Sequence, residues 1–106
     1  MTPITTIVLF ELPAENVDEF IAFWHDIQNF VSEQPGMIDG VGHQATDADG
    51  PFQFVNVVRW DSAESLDSAL QAVVAEFHKR GADIGEKFER LGVKQTQSNF
   101  TEELRY

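Results

Sequence analysis

The chain contains no cysteine. That absence excludes disulfides, thiolate nucleophiles, iron–sulfur clusters and cysteine-ligated zinc. Tyrosine occurs once, at Tyr106. Positive charge is missing from the first half: residues 1–58 hold no Lys or Arg but nine of the eighteen acids, and all seven basic residues fall from Arg59 onward. The net charge is −11. A field of that sign repels phosphate backbones and anionic lipid heads, so neither nucleic acid nor a membrane surface is an expected partner. Long apolar runs are also lacking. Ile7-Val8-Leu9-Phe10 is too short for a signal sequence and has no basic residue before it, and no stretch approaches membrane-spanning length. A cytoplasmic setting is the expectation. There is no G-x-G-x-x-G, P-loop or G-x-S-x-G.

What is present suits a packed core. The 106 residues are enough for one domain over 1–106, with 42% hydrophobic residues, nine Phe and two Trp. So small a domain leaves apolar surface uncovered, which points to a second copy of itself as a partner.

The pattern along the chain alternates strand and helix. Ile4 to Leu12 is rich in β-branched and aromatic residues and reads as a strand that Pro13 ends. A helix follows to about Gln34, with Asn16 and Glu19 spaced as a capping box. Val17, Phe20, Ile21, Phe23, Trp24, Ile27, Phe30 and Val31 fill about half of its circumference. A face that wide predicts packing on the domain's own sheet plus a partner or a pocket. Pro35-Gly36 stops the helix. Met37 to Thr46 reads as the second strand, with Gly40 and Gly42 on one face, marking a close approach by a helix or a ligand, and Met37, Val41 and His43 on the other. Asp47-Ala48-Asp49-Gly50-Pro51 opens like a calcium loop but lacks the later glutamate, so it reads as a hairpin tip. Phe52 to Trp60 is a central strand: Phe54, Asn56, Val58 and Trp60 share one face, and Val55, Val57 and Arg59 the other. Asp61 or Ser62 caps a second helix, with Glu64 completing a box from Asp61, and Leu66, Ala69, Leu70, Val73, Val74 and Phe77 keep helical spacing. Gly81 interrupts it. Asp83 to Leu91 is a short helical piece, Gly92 ends it, and a polar fourth strand follows from Val93. The order β-α-β-β-α-β, with the second helix broken, is the ferredoxin-like α+β pattern.

Several marks coincide on this frame: Glu19-Phe20 in the first helix, Pro35-Gly36-Met37 after it, Arg59-Trp60-Asp61-Ser62-Ala63-Glu64-Ser65 entering the second, and Phe77-His78 near its end. Over roughly residues 4–80 the chain resembles the antibiotic biosynthesis monooxygenase family. The resemblance implies a dimeric α+β barrel with a pocket between the sheet and helices of each subunit. Family members of the best-understood branch oxidise anthrones or quinols with molecular oxygen and no cofactor. Others degrade haem.

Asn56 and Trp60 resemble a pair used in the anthrone-oxidising branch. An ionised phenolic substrate is electron-rich enough to give an electron to oxygen, and a buried amide and indole N–H would stabilise the developing anion. Asn56 between Phe54 and Val58 on an apolar face calls for a reason, whereas Trp60 also reads as plain core. That branch carries a tyrosine where this chain has Leu66, so a phenol relay is lost. The branch's basic residue near the end of the second helix falls on Arg80 by ungapped spacing or on His78 by the helix end. Imidazole suits base work, and both residues also suit a helix terminus that complements the dipole. The haem-degrading branch's strand asparagine and helix tryptophan fall on Ile7 and Ala69, leaving only His78. Further pocket candidates are Trp24, His43, Phe54 and Leu66, while His25 reads as a surface residue. The expected function is therefore a cofactor-independent monooxygenase for a phenolic polycycle or quinol. The alternative is a non-catalytic dimeric module that binds a small hydrophobic or planar ligand.

Overall fold

The computed structural model describes residues 2–106. Its elements are β1 (Ile4–Glu11), α1 (Val17–Val31), β2 (Met37–Gln44), β3 (Phe54–Trp60), α2 (Ala63–Lys79), α3 (Ile84–Leu91) and β4 (Lys94–Phe100), with a single 3₁₀ turn at Ala14–Asn16 leading into α1. The strands form one antiparallel sheet in the order β2-β3-β1-β4. This is the ferredoxin-like α+β fold. β3, apolar on both faces, has a neighbour on each side, as its pattern predicts. No helix among the described residues is long and apolar enough to cross a membrane.

The helices pack on one face of the sheet. Val8, Phe10, Phe54, Val58 and Trp60 from the strands meet Phe20, Ile27 and Val31 of α1, Leu66, Ala69, Val73 and Phe77 of α2, and Phe88 and Leu91 of α3. The wide apolar arc of α1 is mostly covered within the chain: Phe23 packs edge-on against Phe77 and Phe88, with ring centroids at 5.8 and 6.1 Å. The surface left open is instead the other face of the sheet. There Ile7, Leu9, Val55 and Val57 are half-buried, and Val41 and Phe100 are exposed. On that face Arg59 grips Asp39 with a two-pronged ion pair, at 2.8 Å from Nε and 2.6 Å from Nη2. The hydrogen bonds from Arg59 hold the Asp39 carboxyl below the usual carboxylate range.

Three local expectations are corrected. Asn16 makes no side-chain cap; its amide donates to the Leu91 carbonyl at 2.9 Å, and Glu19 pairs with Lys87 at 3.2 Å. Both groups satisfy a tertiary need, tying α1 to α3, in preference to a local one. α2 is capped by Ser62, whose Oγ accepts from the Ser65 N–H. The Asp61 carboxylate accepts from the Ser65 hydroxyl instead of joining a box with Glu64. Finally, β2 is irregular between Met37 and Asp39. The shift turns Met37 to the helix side with Gly40 and Gly42, opposite Trp60, Val58 and Asn56.

Gly36 has φ +91°, and a Cβ there would fall 2.3 Å from Ser65 Oγ and 2.5 Å from Asp61 Oδ1. The turn after α1 thus rests directly on the cap of α2, and the Asp61 N–H donates to the Gly36 carbonyl at 2.8 Å. Gly36→Ala combines an unfavourable backbone region with a clash. It is expected to cost about 2–4 kcal/mol in urea unfolding, summing the strain and the displaced contact. Retention of the parent's unfolding midpoint would refute that account.

A neutral cavity between the sheet and the helices

The helix-facing side chains of the sheet form cross-strand rows, because alternate residues on each strand point the same way. One row runs Gly42, Asn56, Val8, Gln97; the next runs Gly40, Val58, Thr6, Asn99. Above these rows α1, α2 and α3 leave a cavity of about 250 Å³. Its walls are mainly Ile27, Val58, Trp60, Leu66, Val73 and Phe88, and its polar groups are Thr6, Gln28, Asn56, Gln95, Gln97 and the Trp24 indole. None of the lining residues is an acid, a base or a tyrosine.

A second, more open chamber of about 420 Å³ lies between α1 and β2. Trp24, Gln28 and Asn56 line both spaces. The bare backbone of Gly40 and Gly42 forms the floor of the second, and His25 stands among its lining residues. What approaches Gly42 is the Phe54 ring, which a Cβ would meet at 2.5 Å. At Gly40 the neighbours are Met37 and Val58. These glycines therefore make room for side chains of the sheet itself, not for a helix.

Asn56 is 4% exposed, and its side chain makes no hydrogen bond among the described residues, but its amide is not sealed off: it borders the open space of the cavity. Gly42 beside it offers no side chain and Val8 only an apolar one. Trp60, 2% exposed, and Leu66 contribute wall to the same cavity. Phe54 packs against Phe10 and Phe20 and faces the second chamber. Thr6 is occupied, donating to Asn99 Oδ1 at 2.8 Å.

Three candidates lie elsewhere. His43 pairs with Val55 and is exposed on the open face of the sheet, because side chains one residue apart on a strand point oppositely. His78 is exposed on the last turn of α2, against a shallow surface formed with Leu70, Gln71, Val74 and Ala75. Arg80 pairs with Glu76 at 2.9 Å and lies over the Phe77 ring at 4.7 Å. Ile7 also faces away from the cavity. No cluster of three His, Asp or Glu able to hold a metal occurs among the described residues. Gln28, Gln95 and Gln97 were not singled out from the sequence. The last two lie with Asn99 on the inward face of β4, but both faces of that strand are polar up to Phe100, so its alternation does not mark them out.

Residues 3–80 match the family described as antibiotic biosynthesis monooxygenase. No curated protein matches the sequence. Among solved structures, a protein described as a candidate monooxygenase from Shewanella loihica PV-4 is similar at 25% identity and TM-score 0.76, over 99% of this chain and 97% of that one. SnoaB, a cofactor-independent oxygenase from Streptomyces nogalater, in its N63A mutant form, aligns at 16% identity and TM-score 0.76 over the same shares. A conserved protein from Methanosarcina mazei Go1 aligns at 17% identity and TM-score 0.75, over 97% of this chain and 95% of that one.

Proposed function

From the antibiotic biosynthesis monooxygenase family, to which this chain belongs, we propose a cofactor-independent monooxygenase that oxidises a phenolic polycycle of the anthrone type, or a quinol, with molecular oxygen. The observation that carries this reading is Asn56: a residue buried in the fold whose amide borders an apolar cavity and has no hydrogen-bond partner within the chain. A neutral donor kept unpaired in such a place suits an oxygen that becomes anionic.

For an anthrone the reaction balances without a further reductant. The ring methylene gives up its two hydrogens and gains one oxygen atom from O2, and the second oxygen atom leaves with those hydrogens as water. The substrate ionises first. Its enolate oxygen accepts from the Asn56 amide, and the electron-rich ring gives an electron to O2. The apolar walls at Val58, Trp60, Leu66, Val73 and Phe88 hold the rings. The cavity contains no titratable side chain, so the substrate's own acidity starts the reaction. The proton leaves through the second chamber, where His25 stands near solvent.

The working unit in this reading is a cytoplasmic homodimer. The uncovered face of Ile7, Leu9, Val41, Val55, Val57 and Phe100 is apolar enough to require a cover. A dimer is expected at micromolar concentration, and Val57→Asp should yield monomers in sedimentation. A parent protein that sediments as a stable monomer would rule this out.

Oxygen uptake with a panel of anthrones and hydroquinones tests the chemistry. Uptake matched by quinone formation is the expected result. Binding of these compounds without uptake would favour the second reading, a non-catalytic module. That reading draws on Leu66 in the tyrosine position and on a cavity without a base.

A further inference from the structure

The indole Nε1 of Trp24 is buried and has no hydrogen-bond partner, the one side-chain atom in that condition among the described residues. Its ring cannot turn to find one. Phe10 meets it edge-on at 4.8 Å, Phe20 stacks on it at 5.9 Å with 18° between planes, and Phe88 closes in at 6.3 Å. Buried tryptophan N–H groups ordinarily find an acceptor, and one left unpaired loses its hydration without return. A tryptophan needed only for bulk could be a phenylalanine, like its neighbours in this cluster.

Position gives the unpaired donor a use. Trp24 comes from α1, on the wall opposite the sheet. With Asn56 of β3 and Gln28 it lines both the cavity and the second chamber. Two N–H groups without a partner in the chain, one from α1 and one from the sheet, therefore belong to residues shared by the apolar cavity and the more open chamber. A ligand that satisfies both has an oxygen at its edge and a flat apolar body beyond it. The oxygen has two lone pairs, one for each donor.

We infer that Trp24 and Asn56 jointly bind one oxygen of the ligand, the carbonyl or phenolate of a fused aromatic, with Trp24 Nε1–H as the second donor to that atom. The identity of the ligand class rests on the proposed function; the two-donor site does not require turnover. Trp24 is thus a substrate-binding residue that selects an oxygen-bearing ring over a hydrocarbon of the same shape, and it fixes which edge faces the second chamber.

The test uses α-tetralone, an aromatic ketone, and tetralin, the same skeleton without the carbonyl. The chain's two tryptophans give two indole N–H signals in a nitrogen–proton correlation spectrum, assigned with Trp24→Phe. α-Tetralone should move the Trp24 signal downfield, and tetralin should not. Trp24→Phe should weaken α-tetralone by about tenfold, the loss of one buried hydrogen bond, and leave tetralin within about twofold, since the aromatic body is kept. A Trp24 signal indifferent to α-tetralone overturns the inference. So do equal losses for both ligands, which would make Trp24 a packing residue, and failure of α-tetralone to bind. The parent's spectral response stands even if the variant folds poorly. Selective binding of α-tetralone together with no oxygen uptake on any anthrone would sink the monooxygenase reading and leave this site intact.

Discussion

Asn56→Leu is expected to lower the oxidation rate by about 10²–10³-fold, the usual effect of removing one donor to a developing oxyanion. The same change should leave thermal stability unaltered or improved. In the parent the amide lies beside Val8 and the bare Gly42 at the cavity wall with no partner in the chain, so its removal breaks no hydrogen bond that holds the sheet. Leucine fills similar space and leaves nothing unpaired. This opposition of effects is what separates a functional amide from a structural one. Asn56→Asp should be slower still, because a carboxylate would repel the oxygen as its charge grows. Two results would refute the assignment. If Asn56→Leu unfolds the protein, the amide holds the sheet through a bond formed in solution. If the variant turns over a proven substrate at the parent's rate, the anion is stabilised elsewhere, and Trp24 becomes the first residue to test.

Trp60→Ala should destabilise the fold by about 3–5 kcal/mol in urea unfolding, as truncations of buried aromatics do. The residue is 2% exposed and lies at the end of β3, paired with Ile4 of β1 and Met37 of β2. It is also a wall of the cavity. The two roles are separable by experiment. A loss of stability makes Trp60 chiefly a core residue whose removal leaves a void that the surrounding side chains only partly fill. An unchanged unfolding midpoint with ligand binding lost makes it a pocket residue whose place in the core is dispensable.

The strands and helices were legible because their signals are local and repeated. The β-branched run of Ile4–Val8, the helical spacing from Leu66 to Phe77, and the stops at Pro13, Pro35-Gly36 and Gly92 all lie within a few residues of what they determine. The readings that changed depended on partners distant in sequence. Asn16 had a good local offer in the α1 N–H groups but bonds Leu91, 75 residues away. The faces of β2 were inverted at Met37 because an irregularity between Met37 and Asp39 breaks strict alternation, and a bulge leaves no reliable mark in composition. The site was legible to a similar depth. Alternation on β3 placed Asn56, Trp60 and Phe54 on one face, where the structure has them. It could not say that α2 extends past the cavity before reaching His78 and Arg80. The polar members from β4 were hidden by an outwardly unremarkable run of Gln, Thr, Ser and Asn, whose inward half matters only because β4 sits at the sheet edge beside β1.

The contact of Gly36 with Asp61 and Ser65 has a consequence for redesign. Two of the marks that identify the family, the turn after α1 and the run that opens α2, are halves of one latch, joined through the Gly36 carbonyl and the Asp61 N–H. Neither side can change shape alone: a side chain at 36 demands a smaller residue at 65, and still strains the turn. The latch lies outside the cavity lining. Gly36, Asp61 and Ser65 can therefore be kept while the cavity lining is changed. An engineer can hold Pro35–Met37 and Asp61–Ser65 constant and vary Gln28, Leu66, Gln95 and Gln97 as an independent alphabet for what the cavity admits.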